Sequence, residues 1–227
     1  MFKINKRYRD IFEQYIYKGE PTPLSIGTLV VCAFCFLLLI ISTFTQITFS
    51  HPWFQDVFQN GFQWGTKQVT YNPQVVVMIF IIYLLGRNYS YFTFEIYLLT
   101  GFFVWPIFVF GGGFEYIQNY LFGYLLGFIP AAFLMGLIFS VSQNYKLRLL
   151  ASVVGVFSIH FCGILYCIIL ALFAGLESGL LGAVFKVITL NKILYDLIFA
   201  ATILLIAPYI KNIFWICMKP KADRKKR

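Results

Sequence analysis

Long apolar runs separated by short polar or glycine-rich stretches dominate the chain. They fall near residues 25–48, 72–87, 90–110, 121–141, 148–175 and 192–217. A helix needs about 20 mainly apolar residues to cross a bilayer. All but the short second run meet that length, and no segment alternates as a barrel strand does. The pattern predicts an all-α integral membrane protein, a compact bundle of about six transmembrane helices.

The flanks add three elements. In residues 1–24, Tyr8, Ile11, Phe12, Tyr15 and Ile16 recur at helical spacing opposite Lys6, Arg7, Arg9 and Asp10. That predicts an amphipathic helix lying on the membrane surface, ended by Pro21 and Pro23. A cleavable signal peptide does not fit. The basic stretch runs to Lys18, and no small-residue cleavage site follows the long apolar run. Within the membrane domain, 25–217, segment 49–71 joins the first two spans outside. Phe54, Phe58 and Phe62 fall four apart there, between Trp53 and Trp64, which predicts a short interfacial helix with aromatic anchors. Two readings of it stand: a connector resting in the headgroups, or a lid over a site. A basic tail, 218–227, closes the chain.

Composition narrows the class further. Only 12% of residues are charged while 60% are apolar and 20% aromatic. Soluble domains carry about 25% charged residues, so too little polar surface exists for a water-facing globule. Nucleic-acid binding, disorder and a disulfide scaffold are excluded on the same ground. The net charge of +9 then concerns topology. Lys3, Lys6, Arg7, Arg9 and Lys18 precede the first span. Arg87 falls between the second and third, and Lys146 and Arg148 between the fourth and fifth. Lys211 and the tail lysines and arginines end the chain. Lys67, Lys186 and Lys192 fall on the other side. By the positive-inside rule both termini are cytoplasmic, in a multi-pass protein of the plasma (inner) membrane. The basic ends also suit contact with lipid headgroups.

Candidate chemistry is sparse. Cys32 and Cys35 form a CxxC, but Cys32, Cys35, Cys162, Cys167 and Cys217 all lie in apolar runs and no second ligand pair has metal spacing. They read as packing residues, with no metal or cofactor implied. No HExxH, GxSxG or phosphate loop occurs, so no enzyme is indicated. An acidic residue inside a span is expensive and points to function. Asp196, near the outer end of the last span, either receives a polar ligand or makes an internal pair, for example with Lys192 one turn earlier. Glu95 lies close enough to an interface to be hydrated. His160, mid-span, is either a polar pocket group or a histidine bonded to a neighbouring backbone. Gly111, Gly112 and Gly113 interrupt helix, and with Glu115 they form a loop whose backbone either faces a ligand or simply links two spans. Gly123 and Gly127 make a GxxxG packing face, and Ala171, Gly175 and Gly179 repeat that spacing. Gln74 opens the second span beside Tyr71 and Asn72.

Taken in order, these pieces carry a resemblance. Tyr71, Asn72, Pro73 and Gln74 open a span that Leu84, Leu85, Gly86 and Arg87 close. Pro106, Ile107 and Phe108 lead into Gly111–Gly113. Gly123, Tyr124, Leu125, Leu126, Gly127 and Phe128 follow, then His160, Gly163 and Tyr166, then Asp196. Over roughly residues 25–215 the chain resembles the BioY family, the biotin-specific substrate-binding (S) components of energy-coupling-factor (ECF) transporters. The outer segment 49–71 and the His-x-x-Gly-x-x-Tyr pattern are most similar to cyanobacterial members. The resemblance implies a six-helix bundle with a biotin pocket near the outer face. It also implies partners, an ECF transmembrane subunit and two ATPases, that supply ATP hydrolysis.

In this reading Asp196 hydrogen-bonds the ureido ring. The loop Gly111–Glu115 and Gln74 add polar contacts, while Tyr124, Tyr166, Phe199 and Trp105 wall the ring and tail. His160 is a further polar group of the pocket. The family's Asp-x-x-Lys has Phe199 in the lysine position here, which leaves Lys192 to meet biotin's carboxylate. The family's Pro-Thr-Gly-Gly-Tyr is replaced at Tyr120–Tyr124, and the Ala-x-x-x-Ala of the first span is not evident. The rival classes are an S component for another small vitamin, a non-transporting assembly subunit built on the GxxxG faces, and a lipid-modifying membrane enzyme.

Overall fold

The computed structural model describes residues 25–54, 64–173, 182 and 185–218. The helix predicted over 1–24, Phe58, Phe62, Gly175, Gly179 and the tail beyond Met218 lie outside these described residues. The elements run α1 (Ile26–Phe44), β1 (Ile47–Phe54), β2 (Trp64–Tyr71), α2 (Gln74–Leu99), α3 (Phe122–Leu126), α4 (Phe128–Val141), α5 (Tyr145–Phe173) and α6 (Asn191–Met218). A π turn, Thr100–Val104, extends α2. A 3₁₀ turn, Phe114–Gln118, precedes α3, and a second π turn, Phe185–Leu190, leads into α6. Five stretches among the described residues are long and apolar enough to cross a membrane: Ile26–Phe44, Gln74–Val104, Phe122–Val141, Tyr145–Phe173 and Asn191–Phe214.

The second of these is two helices, not one. Gly86 sits inside it at φ 75°, ψ 176°, a conformation open to glycine and closed to residues with a Cβ. The consequence is visible in side chains: Gln74 Nε2 stands 3.3 Å from Tyr97 Oη. In one continuous helix those residues would be separated by about 34 Å. The chain therefore reverses at Gly86, and residues 74–85 and 87–99 form an antiparallel hairpin. The second and third expected spans are the arms of that hairpin, which gives six helical segments among the described residues.

The first arm is the centre of the bundle. Met78, Ile79, Ile81, Ile82 and Leu84 have no exposed surface. At 12 residues the arm is about 18 Å long, so it fills the interior while longer helices surround it. Their outward faces stay apolar, as with Phe157, Phe161 and Leu165 on α5 and Ile198, Leu205 and Ile213 on α6. Such surface is costly in water and ordinary against acyl chains. The protein is a multi-pass membrane protein.

Local signals end the helices. Ser25 caps α1, its side chain accepting from Thr28 N at 3.1 Å. Asn72 Oδ1 accepts from Gln74 N at 2.9 Å across Pro73, and Asn144 Oδ1 accepts from Leu147 N at 2.9 Å at the start of α5. Each satisfies one amide that the first turn of a helix leaves open.

In segment 49–71 the described residues, 49–54 and 64–71, are strand rather than the interfacial helix expected there. Strands β1 and β2 pair antiparallel, Ile47 opposite Tyr71 through Phe54 opposite Trp64, with residues 55–63 between them outside the described residues. The runs flanking the tip are rich in β-branched residues, including Ile47, Thr48, Val69 and Thr70, which suit a pleated strand. Thr48 and Thr70 face each other, hydroxyls 3.4 Å apart. Of the phenylalanines four apart, Phe54 alone falls in a described strand; Phe58 and Phe62 lie outside the described residues.

The GxxxG face packs as expected. A Cβ on Gly123 would stand 2.2 Å from Tyr166 Cβ, and one on Gly127 would stand 2.7 Å from Ile159 Cα. Helices α3 and α4 thus approach α5 where only hydrogen fits. The reverse contact is as tight: a Cβ on Gly163 of α5 would meet Tyr124 Cε1 at 2.4 Å.

Candidate polar ligand site

One end of the bundle gathers a polar cluster around α6. Asp196 is fully buried. Tyr71, the last residue of β2, donates its hydroxyl proton to Asp196 Oδ1 at 2.7 Å. His160 of α5 lies 2.9 Å from Oδ2 through Nε2. A carboxylate only accepts, so that nitrogen carries the hydrogen. Lys192, one turn earlier on α6, is 3.9 Å from the same oxygen. Two hydrogen bonds and a longer ion pair, from three elements, therefore compensate one buried charge, as burial in a span requires. The internal pair foreseen for Asp196 is present, and it is larger than a pair. His160 bonds this carboxylate rather than a neighbouring backbone.

Tyr71 closes the cluster toward the hairpin. Burial, then the neighbouring carboxylate, push its phenol above the ordinary tyrosine value of 10.0, so it remains a donor. Its ring packs on Phe199 at 5.1 Å, and Lys192 Nζ stands 5.6 Å from its centroid. On the inner side, Tyr124 shares a 2.8 Å hydrogen bond with Thr189 and meets the His160 ring edge-on at 5.7 Å.

A second, uncharged cluster lies beyond the Tyr71–Gln74 turn. Thr43 and Tyr97 hydroxyls are 2.9 Å apart. Gln74 Nε2 donates to both, at 3.1 Å and 3.3 Å. The Tyr97 hydroxyl also reaches Ile107 O at 3.4 Å, tying it to the loop that leads to the glycines. Asn72 Nδ2 donates to Thr43 O at 2.9 Å. The four residues from Tyr71 to Gln74 thus send one side chain to the charged cluster and two to the uncharged one.

The remaining predicted residues sit as follows. Gly111 and Gly113 have positive φ, 125° and 80°. Their amides bond inside the protein, Gly111 N to Phe108 O at 3.1 Å and Gly113 N to Gly101 O at 2.9 Å, so neither is turned to a ligand. A Cβ on Gly112 would meet Gly101 O at 2.5 Å, which packs the loop against α2's extension. Glu115 is exposed. Trp105 is 69% exposed and stands outside both clusters. Tyr166 is half-buried; its hydroxyl donates to Ile117 O, and its ring meets Phe122 at 5.6 Å. Asp196, His160, Lys192, Phe199 and Tyr124 are brought together. Gln74 joins the second cluster, and Tyr166 lies beside it across Phe122. Tyr71, Thr43, Tyr97 and Thr189 are site residues that sequence reading missed or left unweighted. Only Tyr71 carried a local signal, its place before Asn72–Pro73. Among the described residues no group of three metal-ligating side chains occurs.

A helical bundle with a buried, compensated carboxylate at one end and neutral polar groups beside it defines a class: multi-pass membrane proteins that hold a polar cluster within an apolar interior. In fold the chain is similar to the S-component for biotin from an ECF-type ABC transporter, with a TM-score of 0.58 over 84% of this chain and 95% of that one, at 19% identity. A biotin transporter BioY of Thermotoga maritima is 31% identical over 97 residues, which are 42% of this chain and 57% of that relative. The chain thus matches little more than half the length of this relative. The model of the BioY family matches residues 18–215, and the chain belongs to that family.

Proposed function

We propose that the protein is a biotin-binding S component of the plasma membrane that takes biotin at its outer end and moves it inward. The observation that carries this is the buried Asp196 with its two hydrogen-bond donors and the nearby Lys192. A carboxylate fully desolvated in a span is retained at a cost of several kcal/mol, which a binding role explains. The end bearing Arg87, Arg148 and Lys211 faces the cytoplasm by the positive-inside rule, and the Asp196 cluster then faces outward. Asp196 accepts the ureido N–H groups, for which Tyr71 must yield Oδ1 or His160 must yield Oδ2. Lys192, released from Asp196, pairs with the carboxylate, and Gln74 adds a polar contact. Tyr124, Tyr166 and Phe199 wall the apolar part. ATP hydrolysis belongs to ECF ATPase partners that join through an ECF transmembrane subunit.

The test is biotin binding to the purified full chain in lipid nanodiscs, then to Asp196→Ala. Binding tighter than about 1 μM, near −8 kcal/mol, with at least a tenfold loss in the variant, is the expected result. Absent binding by the unsubstituted protein overturns the biotin reading. Unchanged affinity in the variant overturns the role of Asp196.

A further inference from the structure

Around the proposed site nearly every polar side chain already has an internal partner. Asp196 uses both oxygens, Tyr124 and Thr189 bond each other, and Tyr97 bonds Thr43, Gln74 and Ile107 O. Alongside His160 Nδ1, a buried ring nitrogen without a partner among the described residues, Tyr116 does not fit this pattern. It lies in the 3₁₀ turn just past the glycine loop and is 4% exposed. Its hydroxyl oxygen is buried with no hydrogen-bond partner among the described residues.

The ring is held firmly. Phe108 packs on it at 4.6 Å and Phe122 meets it edge-on at 6.3 Å. Its backbone accepts from Asn119 N at 3.0 Å and donates to Gly113 O at 3.2 Å. Phe108 also contacts the Tyr97 ring, centroids 5.5 Å apart, which places Tyr116 beside the uncharged cluster. Burial, then the neighbouring phenols of Tyr97 and Tyr120, raise the Tyr116 pKa above its ordinary value, so the group is a protonated donor.

A buried hydroxyl without a partner is expensive, and a phenylalanine would fill the same space without that cost. The orphan proton is explained when a ligand supplies the acceptor. We propose that the Tyr116 hydroxyl is a ligand-binding group that donates to an oxygen of the bound molecule, on the side of the pocket away from Asp196. This rests on the biotin reading above. A ligand whose N–H groups lie on Asp196 brings two oxygens that suit such a donor, the ureido carbonyl and the valerate carboxylate.

The test compares biotin and biotinol, whose carboxylate is reduced to an alcohol, on the full chain and on Tyr116→Phe in nanodiscs. Ligand-free thermal midpoints are measured alongside. Biotin affinity falls about fivefold to twentyfold in Tyr116→Phe, while the ligand-free midpoint is unchanged or higher. If biotinol affinity falls equally, the ureido carbonyl is the acceptor; if it does not fall, the carboxylate is. Equal biotin affinity in the two proteins overturns the proposal. So does a lower ligand-free midpoint, which would mean that the hydroxyl already has an internal partner. No biotin binding by the unsubstituted protein overturns the proposed function itself, and the inference with it.

Discussion

Lys211 Nζ donates to the carbonyl oxygen of Tyr83 at 2.9 Å and so fastens α6 to the end of the short first arm of α2. Tyr83 lies three residues before Gly86, where the arm's last carbonyls lose their helical partners. Lys211 donates to one of them and lies 4.9 Å from the Tyr83 ring centroid. At the far end Tyr71, just before the arm begins, bonds Asp196. The last helix is thus tied at both ends to the buried centre of the bundle.

Lys211→Met keeps most of the side-chain stem and removes the cap. Charge at a helix C-terminus contributes about 0.3–2 kcal/mol, and the thermal midpoint of the ligand-free protein falls accordingly. Biotin affinity stays within about twofold, because the cap lies at the opposite end from Asp196. A fall in affinity larger than the fall in stability would show that the two ends of α6 are coupled.

Tyr71→Phe removes one of the two hydrogen bonds that Asp196 accepts among the described residues. A hydrogen bond to a charged group contributes about 1.5–3 kcal/mol, so unfolding in detergent shifts to lower temperature. Affinity for biotin is expected to hold or rise, because Oδ1 is freed for a ligand N–H. Calorimetric titration of the variant checks this, and a clear loss of affinity would place Tyr71 among the ligand contacts instead.

Gly86→Ala puts a Cβ on a residue at φ 75°, ψ 176°. The cost is about 1–3 kcal/mol, paid at the hairpin turn or by unfolding it. Cross-linking between cysteines placed at 74 and 97 reports whether the arms still meet.

Gly163→Ala brings a methyl to 2.4 Å from Tyr124 Cε1. Overpacking of this kind costs about 1–3 kcal/mol. It also moves a ring that bonds Thr189 and touches His160, so biotin affinity falls with stability. Gly182, where a Cβ meets nothing within 4 Å, is the control, and Gly182→Ala leaves binding unchanged.

Hydropathy alone determined that the chain is a helical membrane protein, and charge placement separated its two ends. Those properties are sums over local composition, so no partner residue is needed to read them. The close face at Gly123 and Gly127 was legible for the same reason, since a missing side chain is visible in one strand of sequence. Asp196 stood out because a carboxylate in an apolar run has few bland explanations.

Tertiary structure decided the rest. The five long stretches count as six segments only because Gly86 reverses the chain, and the evidence for reversal is Gln74 meeting Tyr97. Phenylalanines four apart suggested a helix in 49–71 because a local period ignores the opposite strand; among the described residues, cross-strand pairing makes 49–54 and 64–71 strands. Tyr71 lies 125 residues from Asp196 and His160 lies 36 away; neither distance leaves a pattern in sequence. Sequence named the buried charge, but which donors surround it depends on how three elements pack, and that is settled only when the helices meet.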